Sequence, residues 1–465
     1  MFTHRDSSQA KHEFVYIEDL VPRDHLLRQI DKHIKFAFIY DRMKGLYSEK
    51  GRPCLDVVLL IKVMLIGYLY GIRSERELER QLVVNVAYRW FLGLGLTDKV
   101  PDHSTISQNR RRRFRGSNIF QEIFDEIVRQ AMARGLITGQ HLFTDSTHLK
   151  ASANRNRKEV VEVAESPREY LEELERAVNA EREKHSQKSL KPMAKEPKTR
   201  EIKRSLTDPQ SGYMCREHKG DGFYYLNHVT VDGRHNIITD VFVTPGNVHD
   251  SVPYLARLDV QIEKFGFGVD AVGLDAGYNT AAICKGLNDR GIFGVMPHVR
   301  SRRKNFKIQK RHFKYDKDQD IYICPGGQKL RYRTTNRAGF KEYVSDANLC
   351  STCKLLADCM ASKSKIRVVT RHVWQEYREK IRSNTLTDEG KYLRRKRHET
   401  VERSFADAKE LHGLRYARFR GLKNVTEQCL LTALAMNIKK IARQLWRFLF
   451  HLCLYRRLRI AFKLQ

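Results

Sequence analysis

Acidic side chains are what this sequence is short of. It sets 55 Asp+Glu against 86 Lys+Arg, a formal charge of +31, far more than solubility asks of an enzyme. A polyanionic partner accounts for the excess. Because the basic residues run through the whole chain, that partner is nucleic acid before it is an anionic membrane. Long apolar runs are missing too. No apolar segment follows the opening Met1-Phe2-Thr3-His4-Arg5-Asp6, so nothing suggests secretion. The most apolar stretch, Leu445 to Tyr455, is broken by Arg447 and is too short to span a bilayer. These absences point to a cytoplasmic protein without a membrane partner. Cysteine is scarce and odd in number, 9 in 465 residues, with four gathered in one region. That speaks against a disulfide framework and for reduced thiols or a metal site. With 41% hydrophobic residues the chain can bury a sizeable core in several domains, which excludes disorder throughout.

Residues 1–137 read as a helical N-terminal domain. Leu55 to Ile66 is apolar almost all round, as in a buried helix, and Ser74-Glu75-Arg76-Glu77 has the form of a capping box. Asp102 is placed to cap a helix that runs into Asn109-Arg110-Arg111-Arg112-Arg113. A short helix, a turn and an arginine-bearing helix suit DNA docking, with Arg110 and Arg112 as the contacts and the other arginines left to pair inside the protein. Gln140 to Lys150 then reads as a short strand ending in Asp145. Residues 155–215 are a charged insertion without chemistry: a helix over Glu169 to Lys184 with Leu171, Leu174 and Val178 on one face, then a lysine-rich piece with Pro192 and Pro197 expected to be mobile.

From Gly222 the hydrophobic period changes to that of strands. Phe223 to Val231, an Asp232-Gly233 turn and His235 to Thr244 form a hairpin. Asp250 or Ser251 caps the helix that follows, which makes His249 and Asp250 structural. Asp270 to Asp275 is a further strand with Gly277 just beyond it, and Ile292 to Pro297 another, with a helix between. The fold class is therefore mixed, α+β with α/β character. Residues 301–385 break the pattern and hold Cys324, Cys350, Cys353 and Cys359, thiols sufficient for a tetrahedral structural Zn²⁺ site or else simply reduced and unliganded.

His398-Glu399-Thr400-Val401-Glu402-Arg403-Ser404-Phe405-Ala406-Asp407-Ala408-Lys409 reads as a helix, with no Pro or Gly and apolar residues at Val401, Phe405 and Ala408. His398, Glu402 and Lys409 fall near one face, and Arg415 and Arg420 follow. Read alone, such a face is solvated surface. Two strand-end aspartates and one helical glutamate, however, form the oxygen donor set that holds two Mg²⁺ or Mn²⁺ ions for in-line attack at a phosphodiester.

Thr144-Asp145-Ser146-Thr147-His148-Leu149-Lys150-Ala151, Gly273-Leu274-Asp275-Ala276-Gly277-Tyr278 and Val401 to Lys409 together resemble the three catalytic blocks of bacterial insertion-sequence DDE transposases. Tyr70 to Glu77 and Pro101 to Thr105 are similar to the helical domain preceding the core in one branch of that family. The resemblance implies a ribonuclease-H-like catalytic core over 138–300 plus 386–442, interrupted by the cysteine-containing insertion and followed by a basic apolar tail over 443–465. It also implies Mg²⁺-dependent cleavage and strand transfer on terminal inverted repeats and target DNA by a homo-oligomer on paired ends. By position, Asp145, Asp275 and Glu402 would be the catalytic metal ligands. Lys409 would touch phosphate, as in the signature Y-x2-R-x3-E-x6-K. The chain departs from that signature upstream, with His398 at the Arg position and Arg395 at the Tyr position. A frame on Tyr392, Arg395 and Glu399 recovers three letters but puts Ala406 where Lys belongs, so Glu402 is preferred and Glu399 is the alternative. His398 would bind phosphate in a pH-dependent way. The competing readings are a metal-dependent nuclease without strand transfer and a non-catalytic DNA-binding protein of the same fold.

Overall fold

The computed structural model describes residues 14–47, 54–164, 171–191, 199–216, 219–298, 307–360 and 363–461, with side chains as far as Phe448 in the last helix. The expected mobile piece at 192–198 and the side chains at the end of the basic tail lie outside the described residues. No helix among those described is long and apolar enough to cross a membrane.

The centre is a six-stranded sheet. Its strands are β1 (His141–Lys150), β4 (Gly212–Arg216), β5 (Lys219–Asp232), β6 (Ile238–Pro245), β7 (Ala271–Leu274) and β8 (Phe293–Val295), while β2 (Lys158–Ala164) and β3 (Thr199–Ser205) form a separate two-stranded ribbon. β5 lies antiparallel between β1 and β6, and β1, β7 and β8 run parallel in that order. β7 is buried along its whole length, as a parallel strand covered on both faces must be. Gly273 in its middle leaves room for the Phe143 ring: a Cβ there would meet the ring at 2.6 Å. That close approach brings β1 and β7 into the tight packing on which the site below depends.

β1 runs five residues past the expected end, so Asp145 sits in the middle of a strand and not at its tip. What ends beside it is the pairing with β7, which stops at Thr144↔Leu274, whereas β5 continues opposite β1 as far as Lys150. The ribbon of β2 and β3 was not expected inside the charged insertion. Its alternation of Val160, Val161 and Val163 with charged residues supports an exposed two-stranded pair.

The helical part over residues 17–133 matches expectation in its elements. Asp56 caps the buried helix Val57–Leu69, Ser74 caps Glu75–Val84, and Asp102 caps His103–Gln108. It has no core of its own, however. The helix Leu422–Ala461 packs against Leu26–His33, Val57–Leu69 and Ile119–Ala133 as well as against β6, so one continuous apolar cluster runs from Leu27 through the sheet to Ala442. Buried Asn437 secures that junction: its carbonyl accepts from the Ile238 N–H and its amide donates to the Ile238 carbonyl, both at 2.8 Å.

The cysteine-containing insertion is an antiparallel meander of β9 (Lys314–Asp316), β10 (Ile321–Ile323), β11 (Lys329–Thr335), β12 (Phe340–Val344) and β13 (Val368–His372). The helix Leu171–Lys184 of the first insertion packs on it. Leu174 and Val178 cluster with Trp374, Lys341 pairs with Glu181 at 2.9 Å, and His185 stacks on Tyr332 at 3.6 Å. The two insertions thus fold against each other. The helix Gln375–Leu386 belongs with the central sheet, since Ile381 fills the space above Gly294 of β8.

Candidate active site

Parallel strands place residues of equal register side by side. Because pairing between β1 and β7 ends at Thr144↔Leu274, the next residues come at the same point: Asp275 just past the end of β7, and Asp145 still in β1, opposite Val229 of β5. Glu402 comes from the opposite side, on the helical segment after Asp388–Arg397. A cavity of about 200 Å³ is lined by Asp275, Glu402, Arg394, Arg397, His398 and the ends of β7 and β8.

Arg397 ties the set together. Buried, with only 7% of its side chain exposed, it donates through Nη2 to Asp145 at 2.5 Å and through Nη1 to Glu402 at 3.0 Å. The same Glu402 oxygen lies 2.8 Å from His398 Nδ1. Arg397 Nε has no partner, so the guanidinium is held by the two carboxylates alone. Nothing in the sequence singled out this arginine, and the reason is a local change of helix period. Residues His398–Glu402 form a π-turn between the α-helices Asp388–Arg397 and Arg403–Glu410. One extra residue per turn places the position five before Glu402 where an α-helix would place the position four before it. Arg397 therefore faces the site together with His398, the residue that spacing assigns there. The hydroxyls of Thr400 and Ser404 bond back to the carbonyls of Lys396 and Thr400, both at 2.9 Å, and so satisfy groups that the widened turn releases. The run Arg394-Arg395-Lys396-Arg397 was the available signal.

Glu399 is 60% exposed and lies 3.9 Å from Lys396, away from the cavity. Tyr392 and Arg395 of the alternative frame are exposed as well. Geometry thus favours Glu402.

A fourth carboxylate is present. Ser146 Oγ donates to Asp250 at 2.7 Å. Asp250 was expected to cap a helix, but that helix begins only at Tyr254, and its N-cap, Pro253, offers no side-chain bond. Asp250 instead faces the aspartates. Burial pushes the Asp145 carboxyl up to about 6; Arg397 and the Ser146 N–H hold it down, while Asp275 and Asp250 push it further up. Burial also pulls His228 down to about 4, and Asp250 works against this. His228 Nε2 lies 2.9 Å from the Thr244 hydroxyl.

The donor set suits a hard divalent cation: three carboxylates, one of them raised by burial and by neighbouring charge that a cation would relieve. Among the described residues, the clusters of three ligand atoms within 4.8 Å of one another lie elsewhere, at Glu79, Asp102 and His103 and at Glu181, His185 and Asp320. Between Asp145 and Glu402 stands the guanidinium of Arg397.

The Asp145 shift predicts a stability effect in the metal-free protein. Its folded-state value lies above the unfolded value near 3.8, so its contribution is fully present below that pH and is lost as pH rises through about 6. Asp145→Asn, which cannot ionise and can still accept from Arg397, is expected to match the wild type at pH 4. At pH 8 it should be more stable by up to ~3 kcal/mol. Thermal unfolding in chelator at the two pH values measures this, and an equal difference at both would refute it.

The basic residues divide. Arg112, Arg415 and Arg420 are exposed, although Arg415 pairs with Glu410 and Arg420 Nε donates to the Ser152 carbonyl at 2.9 Å. Lys409 is half-buried on the helix that follows Glu402. Arg110, expected at DNA, is turned inward: it pairs with Glu75 and lies 3.8 Å over the Phe419 ring. It joins the helical part to the turn after the helix Arg403–Glu410, as does His412 Nδ1, 2.8 Å from the Tyr68 carbonyl. The four cysteines of the insertion come together around one small cavity.

Residues 15–112 match a transposase domain family (DUF772), and residues 323–442 match a transposase DDE domain family. No curated protein matches the chain. Among solved structures, the cryo-EM structure of a piggyBac transposase synaptic complex with hairpin DNA covers 93% of this chain and 81% of its own, at 10% identity and a TM-score of 0.28, an overlap too loose to compare sites. The second match spans Arg397, Glu402 and Lys409, and the first spans helices that pack against Leu422–Ala461; the chain thus resembles transposase families in two separate segments, one near each end of the described fold.

Proposed function

We propose that the chain is an active DNA transposase on a ribonuclease-H-like core, cleaving phosphodiesters at transposon ends and transferring the freed 3′-hydroxyl to target DNA. The observation that carries this reading is that Asp145 and Asp275 follow the last pair of one parallel strand pairing, that Asp275 and Glu402 line one cavity, and that Arg397 bonds both Asp145 and Glu402. The strand order, with β6, β5 and β1 antiparallel and β1, β7 and β8 parallel, supports the core assignment.

Asp145, Asp275 and Glu402 would hold Mg²⁺ or Mn²⁺, which when bound supplies activation of the attacking oxygen and charge neutralisation at the leaving one. The chain's own residues prepare that site. Arg397 keeps Asp145 and Glu402 oriented while they lack a cation, and Asp250 fixes Ser146 next to Asp145. His398, paired with Glu402 and exposed, stands at the cavity mouth where a phosphate would enter. Lys409, Arg415, Arg420 and Arg112 would contact the DNA backbone. A homo-oligomer on paired ends follows from the same reading.

The test is incubation of the purified protein with terminal-inverted-repeat DNA, target DNA and Mg²⁺. Cleaved ends and joined products support the proposal. Cleavage without joining points to a nuclease, and DNA binding without either to a non-catalytic protein. Lys409→Ala is expected to weaken binding alike on all sequences and to lower the slope of log affinity against log salt by about one. An unchanged slope in a salt titration would remove Lys409 from the DNA contacts.

A further inference from the structure

The meander β9–β13 has a thin core. Its core cluster holds Phe313, Tyr322, Leu330, Tyr343 and Val369, with Ile321 and Met360 buried beside it, little for a five-stranded sheet, and small units of this kind usually need a staple. Four thiols gather at one end of it. Cys324 follows β10 and opens the turn to β11; Cys350 lies in the helix Ala347–Ser351, Cys353 in the turn after it, and Cys359 ends the helix Leu356–Cys359. All four line one cavity, and none is in a disulfide.

The two loops are shaped as thiolate-holding turns. In Cys324-Pro325-Gly326-Gly327-Gln328 the Gly327 N–H bonds the Cys324 carbonyl at 2.9 Å, and the Gln328 N–H points at Cys324 Sγ at 3.3 Å. Gly327 has φ +78°, a conformation that favours glycine. Gly326 faces the sulfurs: a Cβ there would lie 3.7 Å from both Cys324 Sγ and Cys353 Sγ. Across the cavity Cys350 and Cys353 close their own turn, with the Cys353 N–H on the Cys350 carbonyl at 3.2 Å. Arg367 lines the same cavity; its Nη1 donates to the Cys359 carbonyl at 3.0 Å and its buried Nε has no partner. A site of four thiolates around one dication carries a net charge near −2, which the half-buried Arg367 guanidinium beside it offsets.

We propose that Cys324, Cys350, Cys353 and Cys359 bind one structural Zn²⁺ ion tetrahedrally, each thiol releasing its proton on binding, and that this ion closes the β9–β13 unit. The proposal is independent of the catalytic reading, because its donors are sulfur and it lies in a separate part of the fold.

The full-length protein, purified without chelator, should contain one Zn²⁺ per chain by elemental analysis. Replacement of that Zn²⁺ by Co²⁺ should give sulfur-to-cobalt charge-transfer bands together with the intense visible bands of a tetrahedral site. Cys353→Ser should lose the metal and the bands, while Cys284→Ser, a buried thiol elsewhere, should keep both. If the Cys353 variant fails to fold, the cobalt spectrum of the wild type decides alone. A spectrum without sulfur charge transfer, Zn²⁺ retained when Cys353 is replaced, or a disulfide between any two of the four by mass spectrometry would overturn the site. Retained Zn²⁺ would move the ion to an oxygen and nitrogen cluster such as Glu181, His185 and Asp320.

Discussion

Replacing Asp275 by alanine is expected to leave the protein folded and bound to terminal-repeat DNA but to remove strand cleavage, by on the order of 10³-fold or more. The loss of a metal ligand forfeits several kcal/mol of charge stabilisation, and each ~1.4 kcal/mol is tenfold in rate. Asp275 is exposed where β7 ends, so its removal opens no cavity in the core. Asp145→Ala and Glu402→Ala should fall as far. Glu399→Ala should cleave like the wild type, because Glu399 faces solvent beside Lys396. A plasmid-based cleavage assay with all four variants separates the two glutamates in one experiment. Wild-type rates from Asp275→Ala would end the catalytic assignment, and a dead Glu399→Ala with a live Glu402→Ala would shift the helix register.

Removal of Arg397 should cost about 3 kcal/mol of stability, since breaking one side of a buried ion pair strands the other charge. Asp145 would be the stranded group, and its carboxyl, already raised by burial, would rise further and bind a proton in its place. Asp145→Asn should recover much of the loss, so the double variant should be more stable than the sum of the single effects predicts by more than ~1 kcal/mol. Urea denaturation of the four proteins of the cycle reads this directly. Mn²⁺ should stabilise Arg397→Ala more than the wild type, in which the guanidinium already serves Asp145. Additive costs in the cycle would mean that Arg397 acts only through packing.

Much of this site was legible because it is written in residue types that strands and helices place by simple periods. Asp275 closes an apolar strand pattern, and the parallel register brings it level with Asp145, which was expected at a strand end but lies mid-strand where that pairing stops. Glu402 was legible from its distance to Lys409. Arg397 was not, since a spacing argument assumes 3.6 residues per turn and the π-turn breaks that assumption at this one place. Asp250 was misread for a related reason: a carboxylate shortly before a helix looks like a cap, and only the late start at Tyr254 frees it to face Ser146. In the fold, the helices and core strands follow local pattern. The packing of one insertion on the other, and the inward turn of Arg110 toward Glu75 and Phe419, are long-range pairings on which local pattern is silent.

The helix Leu422–Ala461 also sets an order of assembly during synthesis. The helices around Leu27 and Leu60 leave the ribosome early, with apolar faces whose partner is that late helix. The His412 contact with Tyr68 spans 344 positions. At ordinary synthesis rates those faces wait tens of seconds for their partner. A nascent chain halted between residues 112 and 402 would have Arg111 and Arg112 but neither the finished core nor Glu402. The cavity that Asp275 and Glu402 share is therefore completed all at once, near the end of the chain's own translation.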